Sequence, residues 1–170
     1  MSSIFSPDLP AKAGDHQQWG NLQGSSLALA IANASERVKG SVLLITADTP
    51  SALKLARELQ SFVSEIEVKI FPDWETLPYD NFSPHQDIIS ERLNTLYQLP
   101  TMREGILIVP IPTLMHRLAP REYIAGASLV LSTGQTLDIG VFRNNLQHNG
   151  YVHVDTVYEH GEFAQRGSLV

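Results

Sequence analysis

Three short apolar runs, VLLITA (residues 42–47), VKIF (68–71) and ILIVPI (106–111), constrain the fold of this chain more than any other feature. Each is about as long as a buried strand, and none shows the apolar–polar alternation of a sheet with one wet face. Helical patterns lie between them. Residues 51–63, after Pro50, place Leu53, Ala56, Leu59, Gln60 and Val63 on a period near 3.6. Residues 24–38 are rich in Ala and Leu and stop before Lys39-Gly40, and a short helix is predicted over 113–118 between Pro112 and Pro120. Strands that alternate with helices are joined by crossovers, which set them parallel. Residues 1–125 are therefore read as one α/β domain around a parallel sheet.

The segment FPDWETLPYDNFSPHQDIISER (71–92) is the most distinctive. Phe71, Trp74, Leu77, Tyr79 and Phe82 are large apolar bodies in a Pro-punctuated loop and are expected to pack on a neighbouring element, with Trp74 and Tyr79 buried. Ser83, Pro84 and Gln86 have the spacing of a capping box with Pro at the first helical position, which predicts a helix from Pro84. Ile89, Leu93 and Leu96 would form its inner face, Glu91 and Asn94 its outer face, and Pro100 its end. Residues 71–91 carry Asp73, Glu75, Asp80, Asp87 and Glu91 without a single Lys or Arg.

Charge and composition remove several function classes. Twelve Lys and Arg against eighteen Asp and Glu give a formal net charge of −6, which opposes phosphate neutralisation and hence nonspecific nucleic-acid binding. The chain has no Cys, so thiolate catalysis, disulfides and cysteine zinc sites are absent. No run approaches the length of a membrane span, and MSSIFSPDLP lacks the basic and apolar regions of a signal peptide, so a cytoplasmic location and no membrane partner are expected. The six histidines, His16, His85, His116, His148, His153 and His160, show no HxxxH or HExxH spacing, and no GxSxG occurs. No metal site and no catalytic residue are assigned.

The pattern DWETLPYD, SPHQDIISERL, TLYQLP, GILIVP and TLMHRL resembles the N-terminal region of the bacterial transcription-repair coupling factors (Mfd). The likeness extends to GYVHVDTVYEHGEFAQRGSLV, which is similar to the start of the module this family shares with the excision-repair protein UvrB. The resemblance implies a degenerate RecA-like (P-loop NTPase-like) domain over 1–125, followed by the start of a smaller α+β domain over 126–170 that docks UvrA. Aligning Ile31-Ala32-Asn33 with the same tripeptide of UvrB puts the phosphate loop GxxxxGK[ST] on NLQGSSLA. Asn21 and Ser26 then replace the two glycines, Leu27 the lysine and Ala28 the magnesium-binding hydroxyl, while Gly24, Ser25 and Ser26 remain as a helix N-terminus. Nucleotide hydrolysis and a bound cofactor are not expected of this chain; the alternative is a weak UvrB-type nucleotide-binding or ATPase domain. ATP and magnesium, RNA polymerase and DNA would be engaged by motor and other segments of a longer, ATP-dependent DNA translocase.

After Gly126 the pattern changes. SLVLSTGQ (128–135) reads as strand and turn, 136–148 as a helix closed by Asn149-Gly150, and 151–170 as paired strands ending in an apolar run with no turn to close it. This second domain is expected to be truncated. Arg166, in the short turn-like stretch GEFAQRG, reads either as a solvated charge or, by the resemblance, as part of a UvrA-docking surface, where its planar fork would pair with a carboxylate. Phe163 and Glu162 are its candidate neighbours.

Overall fold

The computed structural model describes residues 3–77, 79–127 and 131–170. They fall into two compact units, Met1–Ala119 and Pro120–Val170. Unit 1 is built on a three-stranded sheet of β1 (Ser41–Thr46), β2 (Val68–Ile70) and β3 (Gly105–Pro110), in the order β1-β3-β2. Both pairings are parallel, with Ser41 opposite Gly105 and Val68 opposite Ile106. The apolar runs thus become strands to within a residue of their expected ends, and the α/β class with a parallel sheet is as the sequence implied.

All six residues of β3 are buried, because the sheet is covered on both faces. Ile106 and Ile108 point to one side, where α1 (Ser26–Ser35) and α2 (Thr49–Gln60) supply Ala28, Ile31, Ala52, Ala56 and Leu59. Leu107 and Val109 point to the other, against Phe71 and, from α3 (Gln86–Gln98) and the 3-10 turn after it, Leu96 and Leu99. Gly105 enters β3 at φ 138, and a Cβ there would run into the Met102 methyl group and approach the Glu67 carbonyl to 3.2 Å, so only glycine fits this corner.

Helix α2 begins two residues before the expected 51, because Asp48 caps it: its carboxylate accepts a 2.8 Å hydrogen bond from the Ser51 N–H, and Pro50 is accommodated in the first turn. Hydrogen bonds from the Ser51 side chain and backbone hold this exposed carboxyl below its ordinary value. The inner stripe is Ala52, Ala56 and Leu59; Leu53, expected inside, is exposed. Helix α1 spans less than the expected 24–38. The helix expected at 113–118 instead follows β3 directly as α4 (Ile111–Leu114), since Pro112 fits in a first turn.

Unit 2 opens with α5 (Arg121–Ala127), a helix the sequence did not suggest, whose first turn is closed by Ile124 N–H on the Pro120 carbonyl. Of the stretch 128–135, residues 128–130 lie outside the described residues; 132–135 form a turn closed by Gln135 N–H on Ser132 O. Helix α6 (Ile139–His148) is capped by Asp138 on the Val141 N–H at 3.0 Å, and Asn149-Gly150 closes it as expected. Two short strands, β4 (Val152–His153) and β5 (Glu162–Phe163), pair parallel. Phe142, Leu146 and Phe163 form the core of this unit.

Candidate functional site

The 71–92 segment of unit 1 divides into a packed floor and an exposed tip. On the floor, Phe71 is buried behind β2, and the Arg92 guanidinium lies 4.2 Å from the Phe71 ring and 4.0 Å from the Trp74 ring. One cation held by two aromatic faces is a stronger arrangement than either contact alone. Arg92 is 2% exposed and donates to the Pro72 carbonyl through Nη1; its buried Nη2 has no hydrogen-bond partner among the described residues. Burial pushes the Arg92 pKa down, and the nearby Asp73 carboxylate pulls it back up. Asp73 is itself fixed by a 3.0 Å hydrogen bond from the buried Thr113 hydroxyl of α4.

At the tip the sequence expectation is corrected. Tyr79 is fully exposed at 102%, and Leu77 and Phe82 are exposed as well; of the five residues expected to pack, Phe71 is buried and Trp74 is half-buried on Arg92. The backbone explains the outcome: Glu75 and Tyr79 adopt φ of 57 and 73, and Asp80 accepts from the Leu77 N–H at 2.7 Å, so the chain turns its aromatic groups outward. The capping box is also not formed. Helix α3 starts at Gln86, with His85 as cap accepting from the Asp87 N–H, while Pro84 borders the cavity beside Trp74 and Leu77. Of the expected inner face of α3, Leu96 packs on the sheet and Ile89 is partly buried, whereas Leu93 is exposed and the fully buried positions are Arg92 and Thr95. Ile88, Arg92, Thr95 and Leu99 recur at helical spacing, so the stripe was readable once an arginine was admitted to it.

At the proposed phosphate corner, Asn21 and Gly24 have φ of 57 and 55, and α1 begins at Ser26 with no side-chain cap from Ser25. The Ser26 hydroxyl donates back to Gln23 O at 2.7 Å. Leu27 is 40% exposed, and Ala28 is fully buried in the α1–α2 core. The residues before this corner are not a strand: the Trp19 indole donates to Asp8 O at 3.0 Å and Arg37 to Pro7 O at 2.8 Å, tying an irregular N-terminal segment to unit 1. A phosphate loop needs a Lys and a hydroxyl where this corner offers an aliphatic chain and a core methyl group.

In unit 2, Phe163 is a core residue packed with Phe142 and Leu146, with the His153 ring 5.1 Å away. The Glu162 carboxylate accepts from the Tyr158 and Glu159 N–H groups at 2.9 and 3.1 Å and so closes the 158–161 turn. Arg166 is exposed. Its backbone pairs with Leu169 in both directions, at 2.9 and 3.1 Å, across a turn in which Gly167 has φ 62; the sequence suggested a turn up to Gly167 and none over 167–170, so the turn lies further along than expected. Of the three candidate residues, two are engaged in holding unit 2 together and one presents its side chain to solvent. Among the described residues, no group of three or more His, Asp or Glu is placed to hold a metal ion, and no helix is long and apolar enough to cross a membrane.

A parallel α/β domain of RecA-like type, followed by a small α+β unit, is the class that these elements define. No protein-family model matches the chain. The chain is 50% identical over 170 residues to the transcription-repair-coupling factor of Escherichia coli K12, covering all of this chain and 15% of that protein. It is 44% identical over 169 residues to the factor of Haemophilus influenzae, again across 15% of the relative, and 30% identical over 133 residues to that of Rickettsia bellii. The chain belongs to the transcription-repair-coupling factor family. It spans about 15% of the length of the curated relatives it matches most fully.

Proposed function

We propose that this chain is a non-catalytic protein-interaction module of a transcription-repair coupling factor, in which unit 1 is a scaffold and unit 2 contributes to docking UvrA. The observation that carries the reading is the exposed Arg166 on its tight turn, in a chain half identical over its whole length to a named coupling factor. The turn fixes the backbone that carries the guanidinium, whose planar fork can make two hydrogen bonds to one carboxylate of a partner. Phe163 and Glu162 serve this surface by fixing the strand that leads into the turn. ATP hydrolysis, DNA translocation and contact with RNA polymerase belong, in this reading, to other parts of a longer cytoplasmic protein.

In that longer protein, Arg166→Ala should weaken UvrA binding by about 2 kcal/mol or more without altering the melting temperature, and Arg166→Lys should recover only part of the loss. Equal UvrA affinity for all three proteins in calorimetric titrations at one salt concentration would make Arg166 a simple solvated charge. A micromolar affinity of the present chain for Mg-ATP would instead favour a UvrB-type nucleotide site, against the aliphatic Leu27 and buried Ala28.

A further inference from the structure

His85 ends the loop and caps α3, and one atom of its ring has two partners. Nδ1 lies 3.3 Å from the Asp87 backbone nitrogen, whose N–H it accepts, and 3.3 Å from a carboxylate oxygen of the same residue. A ring nitrogen carries either a lone pair or a proton, so it serves one of these partners at a time. With the lone pair on Nδ1 and the proton on Nε2, the imidazole satisfies the second amide of the helix, the usual task of an N-cap side chain. With a proton on Nδ1, the same atom donates to the carboxylate and the amide loses this acceptor.

The surroundings make both states reachable. The side chains of His85 and Asp87 are 70% and 71% exposed, so solvent protons reach the ring without any opening of the fold. In the neutral state a lone pair faces a carboxylate, and a proton turns that contact from repulsive to attractive. The positive end of α3 opposes a second positive charge at its cap, and Asp87, the charged group in contact with the ring, favours it. Pro84, beside His85, borders a cavity whose wall also carries His116 and Arg117 from the segment after α4; Arg117 acts in the same sense as the helix end. The capping box expected from Ser83 and Gln86 is not formed, so the side-chain cap of α3 is this titratable ring.

We propose that His85 is a proton-operated cap. Neutral, it holds the first turn of α3 by the Asp87 amide; protonated from solvent at Nδ1, it releases that amide and turns to the Asp87 carboxylate, loosening the junction between the exposed tip and the helix. Histidine is the side chain that ordinarily titrates in the physiological range, so the exchange needs no extreme of pH. The device is separate from the Arg166 turn and does not depend on the UvrA reading.

The test is nuclear magnetic resonance on the isotope-labelled whole chain. At neutral pH the ring nitrogen shifts should place the proton on Nε2, and a nitrogen–nitrogen coupling across the hydrogen bond should join the Asp87 amide to His85 Nδ1. On acidification the coupling should vanish along the curve on which the His85 ring itself titrates, and protection of the Asp87 amide against hydrogen exchange should fall by about fivefold, the loss expected of one cap. His85→Asn supplies a cap that does not titrate, so its Asp87 protection should stay constant over the same range. A proton on Nδ1 at neutral pH, no coupling in the parent, or protection that falls equally in the parent and in His85→Asn would overturn the proposal.

Discussion

Helices α2 and α3 lie against opposite faces of the same three strands, yet they close those faces by opposite chemistry. The α2 side is sealed by Ala52, Ala56 and Leu59, small and aliphatic groups whose burial needs no polar partner. On the α3 side, the residue taken fully inside is an arginine that faces two aromatic rings and donates to a carbonyl, with the Asp73 carboxylate nearby. The aliphatic face should therefore tolerate conservative exchange better than the cationic one. A buried charge is costly to install and still more costly to orphan. That difference explains why the loop on the α3 side can hold a strained, outward-facing tip: its floor is fixed by directional contacts and not by apolar volume alone.

The sharpest way to break this comparison is to exchange the central residue on each side. Leu59→Ala and Arg92→Ala should each cost about 3–5 kcal/mol in denaturant unfolding, the range for emptying a buried site or breaking a buried network. Conservative exchange should separate them: Leu59→Met costs less than about 1.5 kcal/mol, whereas Arg92→Lys loses about 2 kcal/mol because an ammonium cannot lie flat between two rings. Equal tolerance at the two positions would show that the Arg92 stack is ordinary packing. Trp74→Ala removes one half-buried ring from the stack and should cost about 2 kcal/mol.

A smaller effect is expected at the start of α2. The folded-state pKa of Asp48 is depressed below the ordinary 3.8, so its charged cap contributes stability above that value and loses it as the pH falls through the lowered one. Asp48→Asn keeps the acceptor and removes the charge. It should lower the melting temperature at neutral pH, and the difference from the parent should close in acid; a difference independent of pH would exclude the charge as its source. The smallest effect belongs to the tip. Tyr79→Ala should change stability by less than about 0.5 kcal/mol, and a clearly lower melting temperature would move Tyr79 from the tip to the floor.

The sheet was legible because strand length and apolar continuity report burial on two sides, as Ile106–Leu107–Ile108–Val109 show. The α1 and α2 helices were legible for the same reason, with ends displaced by caps that act through one hydrogen bond. The loop was only half legible. Composition marks Trp74 and Tyr79 alike as groups to be buried, but whether they are depends on a partner distant in sequence: Arg92 meets Trp74, and among the described residues of unit 1 none covers Tyr79. Hydropathy also hides Arg92, since a guanidinium is scored as exposed whatever faces it. In unit 2, an alternating segment shows that strands pair but not in which direction, and β4 and β5 turned out parallel.

The strand order β1-β3-β2 has a consequence for the birth of the chain. The central strand is the last of the three to be synthesised, and neither β1 nor β2 borders the other, so both emerge from the ribosome without a partner for their backbone groups. At about 5–20 residues per second, β1 waits on the order of several seconds before Gly105–Pro110 can bridge it to β2. During that interval VLLIT is a bare apolar segment, a natural client for chaperones that shield nascent chains, and pausing of translation before Gly105–Pro110 has left the ribosome should increase its aggregation while pausing afterwards should not.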